Sequence, residues 1–315
     1  IGSALVVAAV LDAARGASEV LVVPEDGPRP GAPNQEDEES GRVVAVWGPA
    51  GAPGRTTTAI AVAAEAAAAG RRTVLVDADP SGGTVVQHLG MLDEVSGLLA
   101  AARRANAGTL DAVALAAASR QVGARLQVVT GLPRADRRVE VRAGVVGEVL
   151  AVASALGDVV VDTGFSIDDA ERDRITIEVL EAADEVLVVG AADPVGLARL
   201  ARSVVDLNER IPGTPVRVVL NRMRPSLRWS AAEVAAMIEG YAAPIGLHVV
   251  PDDRVRLDEA LVTGRTLTEL GDSPVRSAFA EVARACFPDA FAVAPARPPG
   301  SRRGGRRGAQ APKRR

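Results

Sequence analysis

The sequence predicts an α/β protein built on a doubly wound, mostly parallel sheet flanked by helices. Three observations support this fold class: short valine-rich runs recur along the chain, amphipathic stretches separate them, and a glycine-rich loop follows the first run. Each run is continuously apolar, as in strands that are buried on both faces of a parallel sheet. Seven strands are predicted, at residues 43–47, 73–77, 126–130, 158–162, 185–190, 216–221 and 247–250.

The stretches between the predicted strands have helical patterns with recognisable ends. "TAIAVAAEAAAAG" follows the first loop and is closed by Gly70, and "GLARLARSVVDLNER" begins after "DP" and stops at "IPG". Glycine just beyond a helix and proline in its first turn are typical end signals. Because a doubly wound sheet binds its ligands outside the carboxyl ends of the strands, we expect the functional residues at those ends.

The composition divides the chain into a folded body and polar flanks. With 315 residues, 48% of them hydrophobic, the chain can bury one large core, which we assign to residues 42–290. Residues 1–23 are interpreted as the end of an upstream domain, and residues 24–41, acidic and rich in Pro and Gly, as a linker. Residues 291–315 are interpreted as a disordered basic tail, which either only solvates the protein or makes weak electrostatic contact with DNA, RNA or anionic lipid.

Composition also argues against several classes of function. Aromatic residues make up 2% of the chain, too few for the stacking platforms that bind single-stranded nucleic acid. No stretch approaches the ~20 apolar residues of a membrane span, and the single cysteine, Cys286, lies in an apolar helical pattern typical of a buried thiol. We therefore expect a cytoplasmic protein, with any membrane contact peripheral and made through a partner.

The loop after the first strand, "GPAGAPGRTTT", has the layout of a phosphate-binding loop. Gly48, Gly51 and Gly54 lack side chains, so that backbone N–H groups can close around phosphate oxygens at the start of the next helix. Arg55 can neutralise a β or γ phosphate, and the Thr56 hydroxyl is placed to bind Mg²⁺. A strand-to-helix turn that binds nothing is the alternative reading.

Acidic residues end two further strands of the predicted sheet. Asp77 and Asp79 lie in "VDADP", and Asp162 follows a run of valines in "VVVDTG". A carboxylate at such a position can orient a water molecule or hold Mg²⁺ through water, as in P-loop NTPases. The alternative for the first pair is an Asx turn that caps the following segment.

The loop and the segments "VLVDADP", "VVVDTG", "VLNR" and "VPDD", in this order, resemble the ParA/MinD family of deviant P-loop ATPases over roughly residues 42–288. Within that family the sequence is most similar to the CpaE-like, septum-site-determining group. The resemblance implies a P-loop NTPase fold of the SIMIBI type, ATP and Mg²⁺ as ligands, and a protein partner in division, secretion or pilus machinery. It also implies a receiver-like domain as the source of residues 1–23.

The resemblance further implies a role for each matching residue. Asp79 would position the attacking water, Asp162 would support Mg²⁺ through water, and Asn221 would hydrogen-bond adenine. Pro251 and Asp252 would pack beside the base. The phosphates and Mg²⁺ would be bound by the loop residues Gly51, Ala52, Pro53, Gly54, Arg55, Thr56 and Thr57.

Two positions depart from the family pattern. The signature lysine five residues before the P-loop lysine is here Ala50, and the P-loop lysine itself is Arg55. In the family this signature lysine acts across a dimer, and a cation supplied in this way can accelerate phosphoryl transfer ~10³-fold. The resemblance alone therefore does not imply an ATP-driven homodimer with fast hydrolysis for this chain. Three readings stay open: an ATP-binding positioning protein with weak or absent hydrolysis, a nucleotide-free scaffold, and an active partition-type ATPase that binds DNA.

Overall fold

A computed structural model describes residues 40–91, 95–239 and 244–291 of the chain. The predicted upstream segment, nearly all of the linker and the tail beyond residue 291 lie outside the described residues. The domain boundaries given above therefore stay predictions.

One eight-stranded sheet forms the centre of the molecule, in the order β3-β4-β2-β5-β1-β6-β7-β8. The strands are β1 Val43–Trp47, β2 Thr73–Ala78, β3 Arg120–Gln121, β4 Leu126–Val129, β5 Asp158–Thr163, β6 Glu185–Ala191, β7 Val216–Met223 and β8 Gly246–Pro251. Neighbouring strands are parallel except β3, which pairs antiparallel with β4 at the edge. All seven predicted strands are confirmed, whereas β3, with two polar residues, gave no apolar run to detect.

Helices connect the strands and end where the sequence signals indicate. The helices are α1 Arg55–Ala68, α2 Val85–His88, α3 Gly97–Asn106, α4 Ala112–Ala118, α5 Val145–Ser154, α6 Arg174–Ala182, α7 Pro194–Arg210, α8 Ala231–Glu239, α9 Arg254–Thr263, α10 Leu267–Leu270 and α11 Pro274–Cys286. Asp193 caps α7 by accepting a hydrogen bond from the N–H of Gly196, and Gly70 adopts a φ of 99° just beyond α1. None of the helices described has the length and hydrophobicity needed to span a lipid bilayer.

The helices cover both faces of the sheet, which confirms the doubly wound fold. Successive strand residues point to opposite faces, so Val43 and Ala45 join one apolar core while Val44 and Val46 join the other. The first core is completed mainly by α3, α5, α6 and α7, and the second by α1 and α11. Cys286, at the end of α11, is fully buried in the second core, as the sequence predicts.

The amino ends of two central strands carry buried carboxylates with arginine partners. Glu185, at the start of β6 and fully buried, binds Arg42 Nη2 at 2.8 Å and Arg217 Nε at 2.5 Å. Asp158, at the start of β5, binds Arg71 Nε at 2.7 Å. We call this side of the sheet the amino edge and the opposite side the carboxyl edge.

Candidate functional site

The glycine loop joins β1 to α1 at the carboxyl edge. Its backbone packs too closely for side chains at two glycines: a Cβ on Gly48 would lie 2.4 Å from the carbonyl oxygen of Val189, and one on Gly54 would lie 2.3 Å from Asn221 Nδ2. Gly54 also has a φ of 90°, in the left-handed region that favours glycine. Among the described residues no side chain caps α1, so the backbone N–H groups at the start of this helix are left for another acceptor, as at helix ends that bind anions.

Thr56 and Asp162, assigned separately from the sequence, touch at the mouth of the loop. The Thr56 hydroxyl donates a hydrogen bond of 2.6 Å to Asp162 Oδ2. Asp162 ends the apolar part of β5 and is buried, yet its Oδ1 has no hydrogen-bond partner among the described residues. Burial, together with the negative charge of Asp77, raises the pKa of Asp162 well above its usual value. A buried carboxylate with one unused oxygen is suited to a cation or to a cation-bound water.

Asp77 lies beside Asp162 on the neighbouring strand. Its carboxylate accepts hydrogen bonds from the N–H groups of Asp79, at 3.3 Å, and Val85, at 3.1 Å. Burial raises its pKa to about 6, against the opposing effect of these backbone hydrogen bonds. A Cβ on Gly83 would lie 2.3 Å from Asp77 Oδ2, so the loop after β2 is wrapped tightly around this carboxylate. Asp77 therefore organises the segment that carries Asp79.

Arg55, the first residue of α1, lies across the glycine loop. Its Nη1 donates to the carbonyl of Gly48 at 3.3 Å, its Nη2 is 4.0 Å from Asp79 Oδ2, and its Cζ is 5.9 Å from the ring centroid of Phe165. Its Nε is buried without a partner among the described residues. The cation of the loop is thus positioned by a carbonyl, a carboxylate and an aromatic ring.

Asp79 combines both interpretations offered by the sequence. Its Oδ1 accepts the N–H of Ser81 at 2.8 Å, so the Asx turn is present, although no helix follows it directly. Burial is the main cause that raises its pKa, and the nearby charge of Arg55 opposes the shift. The Asp79 carboxylate also lies next to Arg55. The Asx turn is therefore compatible with a role for Asp79 in the site.

Asn221, at the carboxyl edge of β7, ties the glycine loop to the sheet. Its Nδ2 donates to the carbonyl of Pro53 at 3.0 Å, and its Oδ1 accepts the N–H of Arg222 at 2.9 Å. Pro251 pairs with Met223 across a register shift at the end of β8, and the N–H of Asp252 donates to the Met223 carbonyl at 2.9 Å. The structure brings Asn221 to the loop through hydrogen bonds within the chain, and its contact with adenine stays a prediction.

A cleft of about 760 Å³ adjoins the outer lip of the loop. It opens between the loop, the segment after β5 and the helix α7, and its lining includes Trp47, Ala50, Gly51, Phe165, Val195 and Arg199. Phe165 and Arg199 were not among the residues predicted from the sequence. Phe165 follows "VVVDTG" closely enough to be suspected, whereas Arg199 resembles any other charged residue of an amphipathic helix.

A buried parallel strand, a glycine loop and an uncapped helix, with a threonine held against a buried strand-end aspartate, define a nucleotide-binding domain with the P-loop NTPase fold. The chain belongs to the family described as the CobQ/CobB/MinD/ParA nucleotide binding domain, whose pattern matches residues 44–265. No curated protein sequence matches the chain.

Solved structures of this family share the fold at low sequence identity. A ParA family ATPase from Chlorobium tepidum TLS is 20% identical, with a TM-score of 0.66 over 77% of this chain and 98% of its own. The septum site-determining protein MinD of Pyrococcus horikoshii OT3, complexed with Mg-ADP, is 17% identical, with a TM-score of 0.64 over 79% and 97%. A chain of the MinC:MinD cell division protein complex of Aquifex aeolicus is 17% identical, with a TM-score of 0.61 over 80% of this chain and 98% of its own.

Proposed function

We propose that this chain binds ATP together with Mg²⁺ at the glycine loop. The observation that carries the proposal is the pair Thr56 and Asp162: a hydroxyl at the start of α1 held 2.6 Å from a buried carboxylate whose other oxygen is unpartnered among the described residues. A hydroxyl and a water-bridged carboxylate are the Mg²⁺ partners that P-loop proteins use. The close-packed glycines beside them leave backbone N–H groups for phosphate.

The remaining residues of the site fit the parts of a nucleotide. The loop residues 51–57 would bind the phosphates, with Arg55 as their cation. Asp79 would orient a water molecule, and Asn221 would exchange its hydrogen bond with the Pro53 carbonyl for one with adenine. Pro251 and Asp252 would border the base. Bound Mg²⁺ would neutralise phosphate charge, and each of these residues would act by holding or orienting a group around it.

We further propose that hydrolysis is weak or absent. Ala50 brings no charge to the loop, and phosphoryl transfer depends almost entirely on positioned charge. Arg55 is held by the Gly48 carbonyl and the Phe165 ring, and its Nη2 lies 4.0 Å from Asp79, the carboxylate expected to orient water. Binding therefore fits the site better than turnover does.

The cellular role we propose is that of a CpaE-like protein that positions or regulates septum, secretion or pilus machinery. Support comes from the two loop positions that depart from the family pattern and from the names of two structural relatives, one called septum site-determining and the other a MinC:MinD cell division protein complex. Residues 191–200, which lead from β6 into α7 beside the loop, would carry the nucleotide state to a protein partner. A homodimer is included in this proposal as an arrangement that the nucleotide would favour.

Matched threonine variants test the nucleotide site. Thr56→Val removes the hydroxyl that touches Asp162, whereas Thr58→Val removes a buried hydroxyl of the same helix that has no partner among the described residues. We expect Thr56→Val to weaken binding of a fluorescent ATP analogue in Mg²⁺ by about tenfold or more, and Thr58→Val to leave it within about twofold. In EDTA, the difference between the two variants should largely disappear.

Wild-type protein that fails to bind the analogue would favour a nucleotide-free scaffold and overturn the proposal. If the two threonine variants bound the analogue with equal affinity, the proposed role of Mg²⁺ would be overturned. The same preparations measure turnover, which we expect to be no faster in the wild type than in Asp79→Ala. A wild-type rate well above that of Asp79→Ala, and raised further by DNA, would indicate an active partition-type ATPase instead.

A further inference from the structure

We propose that Arg199 of α7 supplies a second phosphate-binding cation to the glycine loop. This cation comes from helix α7 and not from the loop itself, where position 50 is alanine. The inference rests on the proposed nucleotide binding and adds a residue to it.

The guanidinium of Arg199 lies directly on the loop. A Cβ built on Gly51 would be 2.6 Å from Arg199 Nη1 and 3.9 Å from its Cζ, so one nitrogen of the guanidinium points at the loop backbone. Gly51 has a φ of 77°, a conformation that turns the chain tightly at this point. The guanidinium thus fills space that any side chain at position 51 would need, beside the uncharged Ala50.

Arg199 is exposed, and among the residues described in the structure it forms no hydrogen bond or ion pair. Two other arginines, one in the loop and one in the same cleft, are differently placed. Arg55 lies between the Gly48 carbonyl and Asp79. Arg202, one turn along α7, lies near Asp206: burial raises the pKa of that carboxyl, and the charge of Arg202 opposes the shift. Arg199 is therefore a cation beside the loop whose donors are available to an incoming anion.

The position of α7 is fixed independently of Arg199. Asp193 caps the helix through the Gly196 N–H at 2.9 Å, and a Cβ on Gly196 would lie 2.4 Å from the carbonyl oxygen of Ala191. The first turns of α7 are thus packed closely against the end of β6, so the stem of Arg199 starts from a defined place. A forked guanidinium held this way can donate two hydrogen bonds to one phosphate.

Two arginines of α7 provide a matched test in the full chain. We expect Arg199→Ala to raise the dissociation constant of a fluorescent, non-hydrolysable ATP analogue in Mg²⁺ by about fivefold to tenfold, and Arg199→Lys to recover part of that loss. Arg202→Ala, which removes the same charge from the same cleft, should change affinity by less than about twofold. Because Arg199 is exposed, its effect should shrink in about 0.5 M salt, whereas the effect of Arg55→Ala should persist.

The outcomes separate this inference from the proposal on which it rests. If the wild type does not bind the analogue, nucleotide binding itself is overturned, and this inference with it. If the wild type binds and Arg199→Ala binds equally well, only the role of Arg199 is overturned. Equal losses in Arg199→Ala and Arg202→Ala would indicate general electrostatic attraction by the helix and would also overturn it. Unchanged circular dichroism spectra would show that the variants are folded.

Discussion

The two edges of the sheet differ in how the charges of their buried carboxylates are balanced. At the amino edge, Glu185 is bound by two arginine side chains and Asp158 by one, so that each buried negative charge is balanced within the chain. At the carboxyl edge, Asp162 is equally buried, but it is bound by a neutral hydroxyl and keeps one oxygen unpartnered among the described residues.

This difference separates stability from binding. A buried charge that is balanced inside the chain holds the fold together, because removing one partner leaves the other unpaired. A buried charge that is not balanced costs stability and is retained where a ligand supplies the missing partner. The amino edge therefore has the properties of a structural cluster, and the carboxyl edge those of a binding site.

The largest expected effect is on stability, at the amino edge. Glu185→Ala should lower the free energy of unfolding by about 3 kcal/mol, because it leaves the guanidinium groups of Arg42 and Arg217 close together without their carboxylate. Urea unfolding followed by circular dichroism measures this loss. Affinity for the ATP analogue should stay within about twofold of the wild type under native conditions. A loss below about 1 kcal/mol would show that the buried ion pairs of the amino edge do not hold the fold together.

At the carboxyl edge, Asp162→Asn should reverse the pattern. Without nucleotide, the free energy of unfolding should be unchanged or should rise by about 1 kcal/mol, because a neutral amide replaces a buried carboxylate that forms no ion pair among the described residues and has one unpartnered oxygen. Affinity for the ATP analogue in Mg²⁺ should fall about tenfold to hundredfold. Urea unfolding and analogue titration on one preparation measure both effects. A strongly destabilised variant with normal affinity would contradict the contrast between the two edges.

A smaller effect is expected from the protonation of Asp77. Its pKa is raised from 3.8 to about 6, so between these values the folded protein holds a proton that the unfolded chain has lost. The resulting contribution to stability is full below about pH 4 and is lost as the pH rises through about 6. In buffer without metal or nucleotide, the wild type should therefore lose about 2 kcal/mol relative to Asp77→Asn between about pH 4 and pH 7.

Urea unfolding of both proteins across this range measures the difference. The substitution also changes a backbone hydrogen bond, but that loss shifts the variant by a constant amount and leaves the slope with pH informative. If the free energies of unfolding of the two proteins changed in parallel with pH, the charge of Asp77 would be balanced within the chain, like the buried charges of the amino edge.

The fold was predictable because its signals are local. Buried parallel strands require continuous apolar runs, so seven strands could be found without knowing their neighbours. The strand β3 could not be found this way, since two polar residues pair only because β4 lies beside them. The start of α7 was also predictable, because its signals are adjacent in the sequence: Asp193 caps the helix and Pro194 is its first residue.

The site was predictable as far as strand ends define it. Asp162 and Thr56 could be expected near each other because one lies at the end of a central strand and the other just after one, at the same edge of the sheet, and they touch in the structure. Phe165, Arg199 and the arginines around Glu185 could not be grouped from the sequence. Their side chains converge from elements distant in the chain, and no local spacing encodes such a contact.

The burial of Cys286 has a practical consequence for spectroscopy. Burial and the nearby charge of Glu185 raise the pKa of its thiol above the ordinary value, so the thiolate that reacts with maleimides is scarce in the folded protein. It is the one cysteine in the sequence. A cysteine introduced on the exposed side of α7 could therefore be labelled selectively without first removing the native thiol. Fluorescent or spin labels placed there would follow the helix beside the loop as nucleotide is added.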